Sequence, residues 1–72
     1  MRRGAIESSV IARMGYSAAQ RLLELEFRKD GHVYQYFDVP PEEHTAFCQA
    51  ESKGTYLNQV FKQRQYRCTR IK

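Results

Sequence analysis

Two histidines, two cysteines and a Ser-Lys-Gly-Thr run are the residues of this chain best suited to chemistry. His32 stands beside an Asp30-Gly31 turn and His44 in a helical stretch. No Ser, Cys or Asp lies at a spacing that would complete a nucleophile–base–acid set, so both histidines read as surface residues and no catalysis is expected. Cys48 and Cys68 are twenty positions apart, without C-x-x-C or H-x-x-x-H spacing. No metal and no cofactor is therefore expected, and Cys48 reads as a small, half-buried apolar group. Ser52-Lys53-Gly54-Thr55 is more informative. Ser52 can cap a helix that starts at Lys53, and a helix start offers unpaired N–H groups and partial positive charge to an anion. Lys53 there works against the helix dipole, which a phosphate would relieve. Ser52, Lys53 and Gly54 are thus a candidate anion site, although the run is far looser than a P-loop. The plainer alternative is a capped helix with Lys53 in solvent and Gly54 allowing a close turn between helices.

Charge is unevenly spread. Residues 1–21 carry +3, residues 22–51 carry −5, and residues 52–72 carry +6 with no acid. A basic end of this kind suits a polyanion, RNA above all, with phosphate contacts from Lys53, Lys62, Arg64, Arg67, Arg70 and Lys72. A solvated, solubilising tail is the competing reading. Tyr34 and Tyr36 could stack bases. A chain of 72 residues without Trp needs such rings inside, however, so they are assigned to the core. Tyr16 and Tyr66, in less regular segments, are the better candidates for exposed stacking. The alternative function, from a different class, is a protein-interaction module that uses the acidic hairpin face or a sheet edge. The chain opens without an apolar leader and has no run near the ~20 apolar residues of a membrane span, so a cytoplasmic location with reduced thiols is expected.

The elements that must position these groups centre on Leu22–Val39, read as one β-hairpin. Leu23, Leu25 and Phe27 alternate with Glu24 and Glu26, and Asp30-Gly31 supplies the turn. A two- or four-residue loop sets Phe27 across from Tyr34 and Leu25 across from Tyr36. Leu23, Leu25, Phe27, Tyr34 and Tyr36 then share the dry face, and Glu24, Glu26, Arg28 and Gln35 the other. A three-residue loop would reverse the parity and bury Gln35, which disfavours it. Ser9–Met14 is a further strand ended by Gly15; its alternation leaves open which set faces inward, although Arg13 on the other set argues for Val10, Ala12 and Met14. Tyr16–Arg21 reads as a connector, and residues 1–8 as a flexible start. Pro41–Ala50 reads as a helix with Ala46, Phe47 and Ala50 as its apolar stripe. A second helix from Ser52 buries Tyr56, Leu57, Val60 and Phe61 and frays near Gln63. The basic segment 65–72 is either an edge strand or disordered. The fold class is α+β: one domain, residues 1–72, with a three- or four-stranded antiparallel meander covered on one face by two short helices.

Ser8-Ser9-Val10-Ile11, Gly15-Tyr16, the Leu23–Phe27 strand, Tyr34-Gln35-Tyr36, Val39-Pro40 and the run Ala50–Asn58 stand in an order that resembles the KTSC domain. The likeness runs from about Ser8 to Tyr66. That family takes its name from the C-terminal extension of some lysyl-tRNA synthetases and also occurs as small stand-alone bacterial and phage proteins. Family members often carry an acid and a proline after the Gly-Tyr pair, where this chain has Ser17-Ala18. The resemblance implies the same small α+β fold, no established activity, and RNA as the suggested partner.

Overall fold

The computed structural model describes residues 8–72 together with the backbone of Gly4–Ala5. Its sheet holds five antiparallel strands in the order of the chain: β1 (Gly4–Ala5), β2 (Ile11–Ser17), β3 (Leu22–Phe27), β4 (Val33–Tyr36) and β5 (Cys68–Arg70). Between β4 and β5 come helix α1 (Pro41–Gln49) and helix α2. Helix α2 starts as Lys53–Tyr56, widens to a π turn at Leu57–Phe61 and closes on Lys62–Arg64. Both helices pack on one face of the sheet. Ile11, Leu23, Leu25, Val39, Phe47, Leu57 and Phe61 meet there as the buried core. Burying a side chain of this size is worth about 1.5–3 kcal/mol, so this cluster is the main stabilising term.

The β3–β4 hairpin keeps the expected parity but not the expected pairing. Leu23 faces Tyr36, Leu25 faces Tyr34, and Glu24 faces Gln35 on the opposite side. The reason lies in the loop. Phe27 and His32 close it through Phe27 N–H to His32 C=O, 2.9 Å, leaving Arg28–Gly31 outside the ladder. Gly31 takes φ +74°, a value that Gly adopts without strain. Asp30 Oδ1 accepts from His32 N at 3.0 Å and fixes the exit. An even loop preserves which face is dry. Its start one residue earlier moves every partner by two, so Tyr34 lies across from Leu25 rather than Phe27.

Strand β2 departs further. It starts at Ile11 and runs through Gly15 to Ser17, so Gly15 does not end it. A bulge between Ile11 and Arg13 reverses the alternation. Ile11 is therefore fully buried and Val10 is 38 % exposed, the reverse of the expected order. Met14 and Tyr16 continue the core face. At the start of the chain, Gly4 and Ala5 pair with Met14 and Arg13 as an edge strand rather than fraying. Residues 1–3 and 6–7, the remainder of that expected flexible stretch, lie outside the described residues.

Helix α1 begins on Pro41 with Glu42 and Glu43 in its first turn, where acids meet the positive end of the dipole. Its buried residues are Glu43 and Phe47, and Ala46 of the expected stripe is exposed. Ser52 caps α2 by accepting from Thr55 N at 3.2 Å. Lys62 N–H reaches five residues back to Leu57 C=O. Leu57 and Phe61, four residues apart and so on one face of the helix, are both buried in the core. Within residues 65–72, Cys68–Arg70 forms the edge strand rather than a disordered tail. The β5 ladder continues outward as Phe37 N–H to Arg67 C=O, 2.8 Å, and Ile71 N–H to Val33 C=O, 2.8 Å.

Gly54 allows α2 to approach Val10, not the other helix. A Cβ at that position would lie 2.7 Å from Val10 Cγ2. Replacing Gly54 with Ala supplies up to about 1 kcal/mol of helix propensity but drives a methyl into Val10. In a Val10→Ala background the same change should stabilise the protein by that amount, and with Val10 present it should be less favourable or destabilising. Denaturant melts of the four variants measure this, and equal effects in the two backgrounds would contradict the contact.

Candidate nucleic-acid interface

The helical cover is fixed by one carboxylate. Glu43 is 6 % exposed, and its oxygens accept from three side chains. Tyr56 donates to Oε2 through its hydroxyl. Arg64 Nε and the Tyr66 hydroxyl donate to Oε1 at 2.8 and 2.9 Å. The first turn of α1 is thereby tied to the start of α2, the end of α2 and the approach to β5. Burial pushes the Glu43 carboxyl up. The three donors and the Arg64 charge more than offset this and leave it below the usual carboxylate range. Burial, reinforced by donation to Glu43, raises the Tyr56 and Tyr66 phenols to about 12.

The hairpin end of the same sheet face is only partly covered by the helices. A groove of about 710 Å³ is lined there by Val10, Phe27, Arg28, Lys29, Tyr34 and Tyr36. It shares Val10, Phe27 and Tyr36 with a second hollow of about 360 Å³ that runs along α2 past Asn58, Lys62 and Cys68. Phe27 and Tyr34 meet edge to face, centroids 5.5 Å apart. Tyr36 leans on Phe61 in the same manner at 5.6 Å. Burial, helped by Cys68 and Tyr34, raises the Tyr36 phenol to about 12, so it stays a neutral donor. The walls are aromatic and the rim carries the cations Arg28 and Lys29 beside Asp30 and Ser9; rings edged by cations can stack bases and track phosphates.

The structure divides the six expected phosphate-binding residues. Lys62 lines the second hollow, beside the groove, and Arg70 lies across from Tyr34 on β5, with Nη1 3.2 Å from His32 Nε2. Lys72 is exposed beyond β5. Arg67 places its guanidinium over the Phe37 ring, 4.9 Å from the centroid, and strand alternation puts that pair on the face away from the helices. Arg64 is held by Glu43. Lys53 turns back onto α1, donating to Cys48 C=O and Ala50 C=O at 3.0 and 2.6 Å. It thus supplies the cation that α1 lacks in its own last turn. Of the anion-site residues Ser52, Lys53 and Gly54, Ser52 caps the helix, Lys53 serves α1 and Gly54 seats Val10.

Two stacking candidates are corrected. Tyr16 is not exposed for a ligand: its hydroxyl donates to Val39 C=O at 2.5 Å and its ring stacks on His44. Tyr66 packs on Phe61 and donates to Glu43. Tyr34, assigned to the core, lies on the core face but beyond the helices, half-buried in the groove wall. Phe27, Arg28 and Lys29 were not singled out as contact residues. Their clustering around the Asp30-Gly31 turn was the available signal. The acidic hairpin face is engaged: Gln35 Nε2 donates to Glu24 at 3.2 Å, and Arg13 pairs with Glu26 at 3.4 Å. Among the described residues, no group of three or more His, Cys, Asp or Glu side chains is placed to hold a metal. No described helix is long and apolar enough to cross a membrane.

A model of the KTSC domain matches residues 7–66 of the chain. A protein of Stutzerimonas stutzeri is 45 % identical over 71 residues, covering 99 % of both chains. A lysine–tRNA ligase of Nostoc punctiforme is 39 % identical over 56 residues, which cover 78 % of this chain and 10 % of that enzyme. Among solved structures, a KTSC domain protein from Yersinia pestis superposes with a TM-score of 0.89 at 38 % identity, covering 99 % of this chain and 97 % of that one.

The Glu43 clamp predicts a pH profile. A carboxyl held below its unfolded value of about 4.3 contributes stability that is present above that pH and lost as pH falls through the folded value. Phenols raised from about 10 to about 12 contribute stability that is present below pH 10 and lost as pH rises through the raised value. Denaturant melts should show a plateau between these limits. Glu43→Gln should lower the plateau by about 1.5–3 kcal/mol and flatten the acid limb. An unchanged acid limb would contradict the clamp.

Proposed function

The chain belongs to the KTSC domain family, and on that premise we propose that it is a non-catalytic module that binds single-stranded RNA along the open sheet face. The observation that carries this reading is the groove itself, with Phe27, Tyr34 and Tyr36 in its wall and Arg28, Lys29, Lys62 and Arg70 around it. Every base presents a π-face, so such a surface accepts a single strand without reading its sequence. The occurrence of a similar segment within a lysine–tRNA ligase puts a relative beside RNA and supports the same ligand class by association.

The basic surface takes part unequally. Lys62, Arg70 and Lys72 lie on the groove side or beyond the edge strand and contact phosphates directly. Arg67, on the opposite face, and Arg64 and Lys53, engaged within the protein, add long-range attraction only. A protein partner is the second reading. It would add a strand to the outer edge of β5, whose residues are all exposed.

Fluorescence anisotropy with labelled oligouridylate at two salt concentrations tests the proposal. Affinity should fall with salt at a slope of roughly 0.7 per phosphate neutralised. Tyr34→Ala should weaken binding by about 1–3 kcal/mol at either salt, whereas Lys62→Gln should chiefly reduce the slope. Absence of binding at low salt retires the RNA reading, and binding indifferent to Tyr34 relocates the contact.

A further inference from the structure

The groove does not use His44 and Cys48, which lie one turn apart on α1. Cys48 is exposed, and its Sγ stands 3.4 Å from His44 Nε2. The imidazole is held in place: its ring stacks on Tyr16 at 4.2 Å and 12°, and the Tyr16 hydroxyl is anchored on Val39 C=O. A thiol beside a base that is itself oriented by a third group is the arrangement that activates a nucleophile. We infer that Cys48 is a reactive thiol, with His44 as its base, that exchanges with small disulfides to form a mixed disulfide.

In that exchange the Cys48 S–H proton passes to His44 Nε2 as Sγ attacks one sulfur of the disulfide. The Cys48 S–S bond forms and the original S–S bond breaks. The released thiolate takes the proton from the imidazolium and leaves as a thiol. Cys48 is oxidised and the departing half of the disulfide is reduced. Burial lowers the His44 pKa, which favours the neutral form of the ring, the form able to accept. The negative end of the α1 dipole opposes a thiolate at Cys48, and the Lys53 ammonium on Cys48 C=O offsets it. Tyr16 from β2, which stacks on His44, is itself acted on by the charges of Arg21 from the following turn and Glu42 from α1.

Cys68 is also exposed and serves as the internal control. The reduced full-length protein is treated with an aromatic disulfide probe, and labelling at each cysteine is followed by peptide mass spectrometry from pH 5 to 10 (about the range over which free thiol and imidazole titrate). Cys48 should react at least about tenfold faster than Cys68 at neutral pH. Its rate should fall less steeply towards low pH than the thiolate fraction of Cys68. His44→Asn should bring Cys48 to the Cys68 rate at neutral pH while leaving the alkaline limit unchanged. Equal rates and parallel pH profiles for the two thiols in the unmutated protein would overturn the inference, as would a folded His44→Asn variant that keeps the fast rate.

Discussion

A carboxylate that has left water must be matched by donors, and Glu43 has three. An ionised group in an apolar setting without them would cost several kcal/mol. The rest of the cover follows from satisfying it. Tyr56 must sit on the first turn of α2, Arg64 at its end, and Tyr66 just before β5. The three positions span α2, so the whole helix is oriented by one residue of α1. Phe47, Phe61 and Tyr56 then close the aromatic cluster beneath it, with Phe47 and Phe61 centroids 5.5 Å apart. Lys53, folded back onto the α1 carbonyls, adds the second fastening between the helices.

This arrangement also determines what stays uncovered. The helical cover meets the sheet over Ile11, Leu23 and Leu25 and reaches the hairpin end at Gly54, against Val10. Phe27 packs against the edge of the core, and Tyr34 keeps its dry-face orientation in the groove beyond it. The proposed contact surface is thus an extension of the core: the same alternation that builds the interior continues past the helices into a groove edged with cations. On the opposite face Glu24 accepts a hydrogen bond from Gln35 and Glu26 is paired with Arg13.

Much of the fold was legible because its signals were local. Alternation from Leu23 to Phe27 identified the dry face, Pro41 with Glu42 and Glu43 marked the start of α1, and Ser52 marked the start of α2. What escaped depended on events without a side-chain signature. The bulge at Ala12 leaves no composition trace, so Val10 and Ile11 were exchanged. Gly31 sits last in its loop rather than in a centred two-residue turn, which moved the pairing of Tyr34 from Phe27 to Leu25. The role of Glu43 needed partners 13, 21 and 23 positions away, which no window on the sequence brings together. The candidate site was half visible: Lys62 and Arg70 came from the charge pattern, whereas Phe27 and Lys29 depend on how far two helices reach. Arg64 and Lys53 looked available because their internal acceptors are contributed by α1.

The central claim is that the sheet face beyond the clamped helices is where a single strand docks. Backbone amide NMR shifts of the folded protein, recorded while unlabelled oligouridylate is added at low salt, test it residue by residue. The account predicts shifts that centre on Phe27, Lys29, Tyr34, Tyr36, Lys62 and Arg70. Shifts confined to Arg13, Glu24 and Gln35 on the other face, or to Ser52–Gly54 with none in the groove, would contradict it.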